Sequence, residues 1–314
     1  MIISNLLFFI ISLFVLIKSA DYATVYSSKL AKMFHISEFI VSFFLVAIIS
    51  AFPEGTIAII SAIKGVPEFG LGTLIGSNVA DLALVFGIVA LVSAKGISVK
   101  SQIIKKDFLF LVLLLFPILL GFDGYFSRID GILLVLSGFF FFFTLSFESK
   151  MFRKKFNNID GRHLFKNLIL LIFSMAVLLV SANYTIQFGI GFANSINIPA
   201  ILVGLTMVSI GTCLPELLFS IRAVKNNRDE LALGDVLGTV IIDATILVGI
   251  ITLIKPFSFN PIIIYVTGFS MFIAGILTIF FIATGKIITR KEGVYLLLFY
   301  FLYLIVEIVV NKLI

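Results

Sequence analysis

About every 25 to 30 residues this chain meets an apolar run long enough to cross a bilayer. The runs at 3–26, 37–63, 70–94, 107–122, 129–147, 164–187, 198–221, 231–254, 261–284 and 293–313 take up most of its length. A helix of about 20 residues rises ~30 Å, the thickness of the hydrocarbon core. Inside hydrocarbon the backbone must satisfy its own hydrogen bonds, so these runs predict an all-α integral membrane protein of ten transmembrane helices. Composition agrees, with 61% hydrophobic and 13% charged residues and a mean hydropathy of +1.21, too apolar for a soluble domain. The first run has no basic residue before Lys18 and no small-residue cleavage site, so it reads as a retained helix rather than a signal peptide. With one cysteine, Cys213, an intramolecular disulfide is impossible.

Basic residues set the expected orientation. With both termini extracytoplasmic, Lys64, Arg128, Lys255 and Lys312 are the only Lys or Arg left outside, and the other 19 of 23 fall on the cytoplasmic side, among them Lys105, Lys106, Arg153, Lys154 and Lys155. The net charge of +6 is thus a topology signal and calls for no nucleic-acid partner.

The sequence also repeats itself at an offset of 162 residues. "SADY" (19–22) falls on "SANY" (181–184), Pro53-Glu54 on Pro215-Glu216, and "LGTLIGSNVADLALVFGI" (71–88) on "LGDVLGTVIIDATILVGI" (233–250). The expected domains are a first five-helix repeat at 1–148, a short cytoplasmic joint at 149–163 and a second repeat at 164–314. Five is odd, so the second copy enters the membrane from the opposite side. Such inverted repeats, with broken helices meeting at the midplane, are an architecture of secondary transporters.

Four acids lie deep in the expected spans: Glu54, Asp81, Glu216 and Asp243. Each buried acid costs roughly 2.5 to 3.5 kcal/mol, so four unpaired ones would cost on the order of 10 kcal/mol, and no Lys or Arg lies at matching depth. Bound cations or protons would neutralise them. Each acid follows a hydroxyl by four residues (Ser50, Ser77, Thr212 and Thr239), a spacing that puts both on one helix face. Eight oxygen-bearing groups of this kind suit a hard cation such as Ca²⁺. Pro53 and Pro215 cannot donate to the carbonyls of Ile49 and Gly211, which frees those oxygens for a cavity. Gly72, Gly76, Gly234 and Gly238 are expected to allow close helix packing around it.

Taken singly these features have ordinary readings: a proline is a kink, a serine bonds its own helix, a glycine stripe is packing. Their joint recurrence at one offset makes a site. Asp235 reads as a helix cap or vestibule charge, Glu307 as interfacial, and the phenylalanines, "GFFFFFT" (138–144) above all, as lipid-facing bulk. His35 and His163 fall in cytoplasmic loops with no metal spacing. Cys213 reads as a small residue that weakly lines the site. No resident cofactor and no enzymatic activity are expected. An aspartyl protease, whose motif "LGD" (233–235) resembles only faintly, would not explain the pairing of halves, and a cation channel would need no counter-ion.

With "ISAFPE" (49–54) and "GTLIGSNVAD" (72–81) in the first half, and "GTCLPE" (211–216) and "GDVLGTVIID" (234–243) in the second, the whole chain resembles the sodium/calcium exchanger family of the calcium/cation antiporter superfamily, in its compact prokaryotic form. The resemblance implies a Ca²⁺ antiporter of a prokaryotic plasma membrane, with a monomer as a sufficient unit. It implies that Glu54 and Glu216 are the central Ca²⁺ ligands, joined by carbonyls near Ser50 and Thr212. Ser77, Thr239, Asp81 and Asp243 would line adjacent Na⁺ or proton sites, and the first helix of each half would slide to switch access. The chain departs from the pattern where a motif serine is Ala51 in one half and Cys213 in the other, and where both aspartate positions are acidic. These departures leave Na⁺ and H⁺ open as counter-ions.

Overall fold

The computed structural model describes residues 2–33, 47–98, 107–148, 161–195, 209–225 and 229–312. The expected span starts at 37 and 198, His35, and the basic residues at 105–106 and 153–155 lie outside the described residues. The described part is almost entirely helical. Four helices are long and apolar enough to cross a membrane: Pro67–Val92, Ala232–Ile254, Ile264–Gly285 and Arg290–Val310. Burial separates them, because the first two are 78% buried whereas Arg290–Val310 is 28% buried, which places the first pair at the centre and the last helix at the rim.

The chain opens with α1 (Ile2–Met33), whose partner is α8 (Gly161–Ser195). At 1.5 Å per residue both are about 50 Å long, more than a perpendicular crossing needs. They lie against each other, with Phe8 stacked on Phe188 at 5.1 Å and Phe9, Leu16, Ile186 and Ala193 buried between them and the helices below. The α8 start places His163 in a helix rather than in the expected joint.

The next helix is interrupted in both halves. In the first, α2 (Ala47–Ser50) stops at Ala51 and α3 (Phe52–Ile63) begins, with Pro53 in its first turn. Proline is tolerated there because its missing N–H is one that no helical carbonyl requires. In the second, α9 (Ser209–Thr212) stops at Cys213 and α10 (Leu214–Lys225) begins with Pro215 as its second residue. Gly65, at φ +87°, turns the chain from α3 into α4 (Pro67–Val79). The two helices cross closely: a β-carbon at Gly70 would sit 2.8 Å from Ala58 Cα.

Helix α4 continues through a π-helical stretch, Ala80–Val85, into α5 (Phe86–Val92). Its counterpart α11 (Asp229–Ile241) continues through a second π stretch, Ile242–Leu247, into α12 (Val248–Ile254). Each of these boundaries repeats at the same offset of 162 residues. The halves close with α6 (Asp107–Leu120) and α7 (Arg128–Glu148), and with α13 (Pro261–Ile263), a third π stretch Ile264–Gly268, α14 (Phe269–Gly285) and α15 (Arg290–Lys312).

Contacts between the halves are reciprocal. Helix α5 packs on α15 of the other half, and α12 packs on α7. Glycines sit at both crossings: a β-carbon at Gly87 would lie 3.0 Å from the Gly293 carbonyl oxygen, and one at Gly249 would lie 2.7 Å from that of Gly131. Two short ladders tie the connections together. β1 (Ile97–Ser98) pairs antiparallel with β4 (Ile287–Ile288), and β2 (Tyr125–Phe126) with β3 (Phe257–Ser258). Ser93 O accepts from Arg290 Nε beside the first ladder, and Gly124 O from Phe259 N beside the second.

Large apolar side chains on α7 and α15, such as Phe139, Phe140, Leu298 and Phe301, face outward, as lipid contact requires. The phenylalanine run is not all lipid-facing, however. Phe141 and Phe142 are buried, because five consecutive helical residues wrap past one face.

Candidate cation site

The helix breaks and the π stretches bring the acids together. Glu54 lies in the first turn of α3 and Glu216 in that of α10, each just past a break, while Asp81 and Asp243 each sit at the second position of a π stretch. π-Helical turns hold an extra residue, rotate the helix beyond them, and are frequent at functional sites. All four acids are fully buried. Neither carboxylate oxygen of Glu54, Asp81 or Glu216 has a hydrogen-bond partner among the described residues, and one oxygen of Asp243 is likewise unsatisfied. Their carboxyl groups are close enough to repel one another, Asp81 and Glu216 both feeling Glu54, and Asp243 feeling Glu54 and Asp81.

The hydroxyls do not pair with the acids four residues on. Ser77 Oγ bonds its own helix at Leu74 O (3.0 Å) and also reaches Asp243 Oδ2 across the halves (3.2 Å) rather than Asp81. Those two acceptors occupy the Ser77 hydroxyl, and both oxygens of Asp81 are left without a partner among the described residues. Ser50 Oγ donates to Asp235 Oδ1 at 2.8 Å, not to Glu54. Thr239 Oγ1 makes a longer contact, 3.4 Å, to Ala47 O at the start of the broken helix. The Thr212 side chain lies beside Glu54 of the other half. Cys213, buried at its helix break, points Sγ at Ser77 O at 3.5 Å. Every one of these contacts crosses from one half to the other except Ser77 to Leu74.

Two acids belong deeper than their sequence positions indicate. Asp235, expected as a cap or vestibule charge, is fully buried in the second turn of α11, with Oδ2 unsatisfied. It is the fifth carboxylate of the cluster, and it lies within electrostatic reach of Glu54, Asp81 and Glu216. Glu307, expected at the interface, is 1% exposed, and its Oε2 accepts a hydrogen bond from Thr267 Oγ1 at 3.0 Å. Thr267 belongs to the third π stretch, which aims the hydroxyl at α15. One signal for Asp235 stands in the sequence: it lies inside the second copy of the repeated segment, "GDVLGTVIID" (234–243).

Among the described residues no three His, Cys, Asp or Glu side chains close into a metal-binding group of their own. A cation held at this site would complete its shell with hydroxyl, carbonyl or water oxygens. Hard cations accept such a mixed shell.

Buried acids with no basic partner among the described residues, set at helix breaks in a repeated membrane fold, define a membrane transporter for cations. The chain belongs to the sodium/calcium exchanger family: residues 4–147 and 166–309 match "sodium/calcium exchanger protein", in two blocks that stop on either side of the joint. It is 28% identical to sodium/calcium exchanger MaX1 of Methanosarcina acetivorans, over 98% of this chain and 99% of that one. It is 30% identical to the putative antiporter CaxA of Alkalimonas amylolytica, over 80% and 81%. Among solved structures it is similar to the sodium-calcium exchanger NCX_Mj soaked with 10 mM Na⁺ and zero Ca²⁺, with a TM-score of 0.70 and 26% identity over 97% of this chain and 99% of that one. The same exchanger soaked with 2.5 mM Na⁺ and 0.1 mM Ca²⁺ gives a TM-score of 0.69 and 27% identity.

Proposed function

We propose that this chain is a secondary antiporter that exchanges Ca²⁺ for Na⁺ by alternating access, through ten transmembrane helices arranged as two inverted halves. The observation that carries the reading is the set of buried carboxylates with unsatisfied oxygens, Glu54 and Glu216 foremost. In this reading Glu54 and Glu216 hold Ca²⁺ between them. Backbone carbonyls near Ser50 and Thr212 add oxygen at the helix breaks, and Ser77, Asp81, Thr239 and Asp243 line the counter-ion positions.

The coupling follows from electrostatics. When Ca²⁺ leaves, like charges face one another in a medium of low dielectric, and that form is too costly to carry through the occluded state. Counter-ions must bind first. The halves then trade conformations, with the long α1 and α8 pair sliding across a core pinned at the Gly87 and Gly249 crossings. The ladder partners support the inverted threading, since each joins connections that the distribution of basic residues assigns to one side: cytoplasmic for β1 and β4, extracytoplasmic for β2 and β3. Both termini are then extracytoplasmic, in a prokaryotic plasma membrane, and a monomer suffices.

Proton coupling is the second reading. Ala51 and Cys213 supply no hydroxyl where the motif has serine, and both Asp81 and Asp243 are acids that can carry protons. Radioactive Ca²⁺ uptake into liposomes holding the purified protein, at clamped voltage, separates the two. An outward Na⁺ gradient should drive accumulation and an outward proton gradient should not. Accumulation with protons alone would replace the first reading by the second, and none with either would remove both.

A further inference from the structure

We infer that Asp235 supplies the carboxylate of a monovalent counter-ion position built around Ser50, which the repeat does not duplicate. The inference rests on the exchange reading above. Ser50 and Asp235 come from different halves and meet at 2.8 Å, hydroxyl to Oδ1. A hydroxyl has one proton and two lone pairs. With the proton donated to Asp235, the lone pairs of Ser50 point away from it and are oriented to accept a cation. The carboxylate sets the ligand's direction and raises its electron density, as supporting carboxylates do in metal sites. Asp235 also keeps Oδ2 buried and unsatisfied, so one oxygen orients Ser50 while the other remains for the ion.

Symmetry shows what is peculiar about the arrangement. The residue equivalent to Asp235 in the first half is Thr73, whose hydroxyl donates to Phe69 O within its own helix at 3.0 Å. A neutral side chain stands there, so Thr212, the mate of Ser50, meets no carboxylate from that position.

The valence follows from the ligand set. Asp235 is the carboxylate that contacts Ser50, so an ion seated on this pair is balanced by one carboxylate in direct contact. Ca²⁺ asks for six to eight oxygens with more charge, whereas one carboxylate balances one positive charge.

The test compares wild type with Asp235→Asn and Asp235→Thr in the same vesicles, measuring half-saturating Na⁺ for Na⁺-driven Ca²⁺ transport and half-saturating Ca²⁺ for Ca²⁺/Ca²⁺ self-exchange, which needs no Na⁺. Half-saturating Na⁺ should rise at least about tenfold in both variants, the range for supporting ligands, and the Ca²⁺ constant by much less. Ser50→Ala should shift Na⁺ in the same direction, and Ser50→Ala/Asp235→Asn should be little worse than Asp235→Asn alone, because the two act as one unit. Should the Asp235 variants fail to fold, the Ser50→Ala shift in Na⁺ over Ca²⁺ decides the matter. Equal losses in both constants, or an unmoved Na⁺ constant, would overturn the assignment while leaving the exchanger intact. A wild type that ignores Na⁺ would overturn the exchange reading and this inference with it.

Discussion

The two halves of this molecule share one backbone plan and differ in their polar chemistry. Breaks at Ala51 and Cys213, π stretches at Ala80–Val85 and Ile242–Leu247, and crossings at Gly87 and Gly249 all recur in register. The hydrogen bonds do not. Ser50 meets Asp235 where the mirror position offers Thr73, and Glu307 of the second half falls on Leu145 in the sequence repeat. Packing constrains the backbone, because each half must fit the other's crossing. Side chains in the site are free to diverge, because inward and outward states need equivalent frames but not equivalent ions. An asymmetric cluster in a symmetric frame allows ions to bind at inequivalent positions.

The largest expected effect tests what the halves have in common. Glu54→Gln and Glu216→Gln should each lower Ca²⁺ transport by more than about a hundredfold, since loss of a mere supporting group costs 10- to 100-fold. Both proteins should elute as folded in detergent. Near-normal uptake by either variant would show that the Ca²⁺ position is not shared between halves.

A smaller effect should separate the two crossings. At Gly249 a new methyl meets the Gly131 carbonyl oxygen and Val135 at 2.7 Å, with the backbone unable to yield. At Gly87 the nearest atom is Leu297 Cγ, also at 2.7 Å, but the Gly293 oxygen is further off at 3.0 Å. Gly249→Ala should therefore destabilise by about 1 to 3 kcal/mol and Gly87→Ala by less, as overpacking does. Thermal denaturation in detergent measures both, and the reverse order would contradict the packing described.

Thr267→Val removes one hydroxyl that donates to Glu307 and should cost about 1.5 to 3 kcal/mol of stability as the loss of a buried hydrogen bond to a carboxylate. The smallest effect belongs to Glu307→Gln, whose amide oxygen still accepts from Thr267. Transport should change less than about twofold, within the scatter of substitutions away from a site. A large loss would enlarge the site toward the last helix.

Much of this is legible in the sequence for a physical reason. Hydrocarbon tolerates few folds, so apolar runs mark the helices, and the repeat of Pro53-Glu54 at Pro215-Glu216 locates both breaks. The π stretches leave no mark, because an extra residue per turn has no compositional signature. Asp235 and Glu307 read as peripheral because depth in a sequence is measured from span ends. Helix α11 begins at Asp229, so Asp235 lies almost two turns in, and Glu307 turns inward toward a hydroxyl that only the fold supplies.

The most direct measurement begins with equal Ca²⁺ on both sides of vesicles containing the protein, at zero clamped voltage, and imposes a Na⁺ gradient of either sign. Exchange predicts that Ca²⁺ accumulates when Na⁺ runs outward and is expelled when the gradient is reversed, in each case against its own developing gradient. If Ca²⁺ stays at equal concentration under both gradients, moving only down its own gradient when one is set, the molecule conducts cations without exchanging them, and coupled antiport through the buried carboxylates is wrong.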